Sequence, residues 1–142
     1  MQRALLIGLL TALVAAPTWA QRQSAAGNLE LHAEAVPSRT LTPEAAASYR
    51  VEPAPDRGVL LVTVVKRERG GTATVPAQVY AGAMSRRNHV ISIPLREVRE
   101  DKSVFYVGEF RLTPPDELRF LINANVLGTP LKAEFNRAFP VD

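Results

Sequence analysis

Cysteine is absent from the chain, and that absence removes several kinds of chemistry at once. No disulfide framework, no thiol nucleophile and no diacylglyceryl anchor of the bacterial lipoprotein type is available, so stability rests on a packed core. Histidine is nearly as scarce, with two residues, and one of the two methionines is the initiator. General acid–base catalysis and soft-metal binding therefore have few side chains to draw on. No G-x-S-x-G elbow, phosphate-cradling glycine loop or metal-spaced cysteine and histidine cluster occurs. Long apolar runs are missing too. The uncharged stretch Ala4 to Ala16 falls well short of the roughly 20 residues that a membrane-spanning helix needs.

What that stretch does match is an export signal. The α-amino group and Arg3 precede it, Pro17 closes it, and Thr18-Trp19-Ala20 places small side chains at the third-last and last positions. Residues 1–20 therefore read as a signal peptide cleaved before Gln21. A periplasmic protein with no stable membrane insertion is expected. Removal of Arg3 lowers the formal charge of +3 by one, so no dense positive field surrounds the mature chain. Basic residues still concentrate between Arg57 and Lys102, opposed only by Glu68, Glu97, Glu100 and Asp101. The series of aromatics that a base-stacking platform needs is missing there, and nucleic acid is not an expected partner. Such a patch either contacts anionic lipid or glycan, or keeps hairpin tips and strand edges soluble.

Periodicity points to strands. Gln21 to Gly27 is polar and reads as a flexible start. Asn28 to Val36 then alternates Leu29, Leu31, Ala33 and Ala35 with Glu30, His32 and Glu34, the mark of a half-buried strand. One helix is signalled, over residues 43–49: Thr42 as N-cap, Pro43 at the first helical position, Glu44 in the first turn, an end near Tyr49. Val59 to Val65 reads as a central strand. Pro76 in the run Val75 to Ala81 predicts an edge strand or the start of one, and Pro94 in His89 to Val98 predicts edge exposure or a bulge, with Gly82 to Asn88 as a loop between them. Val104 to Leu112 and Leu118 to Leu127 are expected to pair as antiparallel neighbours, and Leu131 to Phe139 completes the set after a turn at Gly128-Thr129-Pro130. The whole predicts a seven-stranded antiparallel β-sandwich of immunoglobulin or fibronectin-III-like type, a single domain over residues 28–142.

Few side chains invite a functional role. Glu109, mid-strand with Arg96, Arg111 or Arg119 as expected neighbours, suggests an ion pair or, alternatively, an acid in a small enzyme or ligand carrier. His32 with Glu30 and Glu34 on one strand face forms a weak metal candidate, and Met84 with His89 a weaker copper one. Otherwise neither cofactor nor catalytic group is indicated.

From about Asn28 to Phe139 the chain resembles the bacterial family labelled domain of unknown function 4426. The residues that carry the resemblance are Leu29-Glu30-Leu31-His32, the segment Leu41 to Ala46 with Tyr49, Arg57-Gly58, Pro76-Ala77-Gln78-Val79, Arg99-Glu100-Asp101, Val104 to Val107, Glu109-Phe110 and Leu118-Arg119-Phe120. The resemblance implies a small exported immunoglobulin-like domain and no assigned activity. The Arg- and Met-bearing loop at 82–88 departs from the family pattern. Pro43, Glu44, Tyr49, Glu109, Arg86 and Arg87 stand out as candidate binding residues. The expected role is a non-catalytic binding or accessory module that meets another envelope protein.

Overall fold

The computed structural model describes residues 21–141, and the side chains from Ala25 onward; the expected signal peptide lies outside the described residues. The chain folds as an all-β sandwich of two antiparallel sheets with one short helix. The larger sheet contains β1 (Gln21–Ala26), β2 (Leu29–Pro37), β3 (Arg57–Glu68), β4 (Gly71–Thr74), β7 (Leu95–Glu100) and β8 (Ser103–Arg111). Its order is β1-β2-β3-β8-β7, with β4 on β3. The smaller sheet is β10-β9-β5-β6, formed by β5 (Gln78–Ser85), β6 (Val90–Ile93), β9 (Asp116–Val126) and β10 (Thr129–Phe139).

Among the described residues ten strands replace the seven expected, for identifiable reasons. Gln21–Ala26 is not a loose start: it pairs with β2 residue for residue, from Gln21 opposite Glu34 to Ala26 opposite Leu29. Pro76 stands just ahead of the start of β5, and Pro94 separates β6 from β7, each an edge strand of its own sheet. Each proline stands where the chain leaves the larger sheet for the smaller one or returns, between β4 and β5 and between β6 and β7. A residue without an N–H ends a ladder, and these two ladders resume in the opposite layer. The first crossing is pinned by side chains: Tyr106 Oη accepts from the Ala77 N–H at 2.8 Å, and Thr74 Oγ1 accepts from the Val104 N–H at 2.8 Å. Consequently β5 lies inside its sheet, between β9 and β6, and it runs on to Ser85, which shortens the expected 82–88 loop to its last residues.

The expected pairing of β8 with β9 is also corrected. β8 pairs with β3 and β7, whereas β9 pairs with β10 and β5. Between them Thr113-Pro114-Pro115 cannot form a tight hairpin, because hairpin turns need positive φ and proline holds φ near −65°.

The central reading of Val59 to Val65 holds. β3 is flanked by β2 along its length, by β8 at one end and by β4 at the other. Between the layers Phe120 touches Phe110 edge-on at 5.2 Å, stacks on Phe135 at 5.1 Å and meets Phe139 at 6.4 Å. Open edges carry charge: the exposed Glu97 and Arg99 pair on β7, and Arg137 on β10 lies over the Phe139 ring at 5.5 Å. Such charges discourage edge-to-edge association.

Candidate functional site

The helix α1 (Pro43–Tyr49) forms where its capping chemistry predicts. Thr42 Oγ1 accepts from the Ala45 N–H at 3.1 Å, Pro43 opens the helix, and Glu44 sits in the first turn. Arg50 closes it in the left-handed conformation, φ 57°, and the Val51 N–H returns to Ala46 O at 2.9 Å. Helix and flanking chain lie on the outer face of the larger sheet, where Val51, Val59 and Val107 form a second small core with Leu41, Tyr49 and Phe105 around it. Tyr49 meets Phe105 edge-to-face at 5.2 Å. Pro43 and Glu44 are exposed.

Glu109 belongs to this docking. Of its expected neighbours Arg96 is present, at 3.6 Å, and Arg57 takes the place of Arg111 and Arg119, with Nε at 4.0 Å. Arg96 also donates to the carbonyls of Tyr49 and Arg50 at 2.7 and 3.0 Å, at the negative end of the helix, and Arg57 donates to Glu52 O. Glu109 therefore holds two guanidiniums that tie the helix exit to the sheet. Arg119 is engaged elsewhere, by Glu134. Farther along the same face Glu30, a buried carboxylate, lies 3.1 Å from His32 Nε2 and pairs with Arg67. Glu34 and His32 rim a shallow groove of about 210 Å³ over Tyr49 and Phe105. Among the described residues no three His, Asp or Glu side chains converge on a metal position.

A broad concavity lies at one end of the sandwich. It measures about 690 Å³ and is bounded by the β5–β6 loop, the β8–β9 connection and the last residues of the chain. Its floor is apolar, with Pro115, Ala138 and Phe139, while Arg86, Arg87 and His89 line one wall and Asp116 and Glu117 another. The loop is internally ordered: the Asn88 N–H donates to Ser85 O at 3.0 Å and the His89 N–H to Ser85 Oγ at 3.2 Å. Asn88 takes φ 59°, and so the two arginines project from a fixed turn. Arg86 pairs with Glu117, while Arg87 and His89 stand exposed. Met84 lies within β5 and His89 beyond it in the loop. The pairings of Glu117 with Arg86 and of Arg57 with Glu109 escaped sequence reasoning because each joins distant segments, with no local signal.

The geometry agrees with what the comparisons find. A crystal structure of a DUF4426 family protein from Pseudomonas aeruginosa PAO1 is similar to this chain with a TM-score of 0.70 and 24% identity, over 87% of this chain and 97% of that one. Among curated proteins none matches. Residues 23–142 match the family described as Domain of unknown function (DUF4426), which takes in both sheets, the helix and the end cleft, and the chain belongs to that family.

Proposed function

We propose that this chain is an exported, non-catalytic binding or accessory module of the bacterial periplasm, and that it meets an envelope protein through the cleft at the β5–β6 end of the sandwich. The observation that carries the reading is the cleft itself: about 690 Å³ of concave surface with an apolar floor and a rigid loop presenting Arg86, Arg87 and His89 at its rim. An apolar floor with a polar, charged rim is the usual anatomy of a protein contact. Export is supported by the leader pattern at residues 1–20. Glu109, Tyr49 and the helix serve this reading as scaffold: Glu109 pairs with Arg96, Arg96 holds the Tyr49 and Arg50 carbonyls, and the Tyr49 ring packs on Phe105.

The test has two parts. Cell fractionation with N-terminal sequencing is expected to find a periplasmic protein that begins at Gln21. Immobilised protein is expected to enrich a specific envelope protein from periplasmic extract, and Arg86→Glu with Arg87→Glu is expected to lose it. A cytoplasmic protein with an intact N-terminus, or equal recovery by both forms, contradicts the reading.

A further inference from the structure

The outer face of the smaller sheet carries a second, separate arrangement. Antiparallel register places Tyr80 opposite Asn123 and Asn123 opposite Lys132, so these three side chains form one row across β5, β9 and β10. The next row, two residues along, is Gln78, Asn125 and Pro130. Neighbouring strands are roughly 4.8 Å apart, and alternate residues along a strand roughly 6.8 Å apart. The grid is therefore about the size of one to two pyranose rings. It forms a shallow depression of about 450 Å³, with Leu131 and Ala124 beneath it.

Its chemistry is selective. Tyr80 is 71% exposed in the middle of a regular strand, so its ring presents itself to solvent on this face. Among the described residues the side chains of Tyr80, Asn123, Gln78 and Lys132 make no hydrogen bond or ion pair with the protein. Asn125 spends its Oδ1 on the Gly128 N–H at 2.8 Å, which fixes the amide and leaves its NH₂ to donate outward. Other charges on the face are matched: Arg119 with Glu134, Arg86 with Glu117. Lys132, two strands from Tyr80 in the same row, has no ion-pair partner among the described residues.

We propose that this platform binds an acidic glycan, a chain of pyranose rings that bear carboxylates. The aromatic ring supplies a flat apolar surface for the C–H face of a sugar. Three amides supply paired donors and acceptors suited to vicinal hydroxyls. Lys132 supplies the charge complement to a carboxylate. Because β9 is held on both sides by β5 and β10, the backbone spacing of the grid is fixed before binding, and only the exposed side chains have to be ordered. This site is on a different face from the end cleft and does not depend on it.

The experiment is a titration of ¹⁵N-labelled protein with hexamers of galacturonate, mannuronate and glucuronate and with muramyl-containing fragments, with cellohexaose as the neutral control. At least one acidic member is expected to bind at low salt, with shifts centred on Tyr80, Asn123 and Lys132. Tyr80→Ala is expected to weaken that binding at least tenfold. Lys132→Gln should narrow the preference over cellohexaose at least threefold. Both side chains face solvent, and Asn123→Ala serves as a further probe should either variant fold poorly. The proposal is overturned if no acidic oligosaccharide binds, if binding survives Tyr80→Ala unchanged, if the shifts map elsewhere, or if the face instead joins two copies of the chain in a Tyr80-dependent dimer.

Discussion

Leu127 occupies a position that its side chain does not favour. It forms, with Gly128, the two-residue connection between β9 and β10, and both have positive φ, 47° and 91°. That is the pattern of a type I′ turn, for which Asn-Gly is the preferred pair. The leucine is fully solvent-exposed, so it gains no burial in return. Leu127→Asn is expected to stabilise the protein by about 0.5 to 1 kcal/mol, since asparagine tolerates the left-handed region that costs other residues roughly 1–2 kcal/mol; a higher urea midpoint at unchanged m-value would show it. Tyr106 presents the opposite case. Its hydroxyl accepts the Ala77 N–H at the point where the chain changes sheets. Tyr106→Phe leaves that donor unsatisfied, and a loss of about 1–3 kcal/mol is expected, measured by equilibrium unfolding. Gly58 is held to glycine by packing, because a Cβ there would come within 2.3 Å of the Phe110 ring.

The elements show what a single sequence makes legible. Helix α1 was readable to its ends because capping is local: Thr42, Pro43 and Glu44 act within one turn. The strand interiors were readable from alternation. What alternation cannot carry is the sheet to which a strand belongs, and so Pro76 and Pro94 gave no sign that the chain changes sheets beside them. A proline ends a ladder whether or not the chain then changes sheets. The polar side chains of β1 likewise gave no sign that its backbone would be claimed by β2. Of the candidate residues, Glu109 and Arg96 are legible as a pair because their strands β7 and β8 follow one another in the chain, whereas Arg57 opens β3, far from β8 in sequence though paired with it. Their joint task yields a local prediction. Arg96→Met removes two donors from the helix exit and one partner from Glu109. Amide hydrogen exchange is expected to accelerate over residues 43–51 while protection in β3 and β9 stays near that of the parent, a local opening in place of global unfolding. Uniform acceleration across both sheets would show that the helix is not a separate unit.

For the molecule as a whole, the core between the layers and the scaffold over the larger sheet divide the work of stability. Phe120 is completely buried and meets three other phenylalanines. Phe120→Ala is expected to cost about 3–5 kcal/mol, a large share of the roughly 5–15 kcal/mol typical of a domain, with a denaturation midpoint as the readout. With no disulfide to compensate, no other cross-link limits that loss. The apolar packing thus sets the frame, and the polar groups around Glu109 fasten the helix to it. The β5–β6 loop is left to face outward over the end cleft. The claim that this end meets an envelope protein is tested most directly in living cells, by placing a photoreactive amino acid at Arg87 and, as control, at Glu52 on the helix side. A discrete cross-linked product that forms from position 87 and not from position 52 is the predicted result; no product from position 87, or the same products from both, would contradict the account.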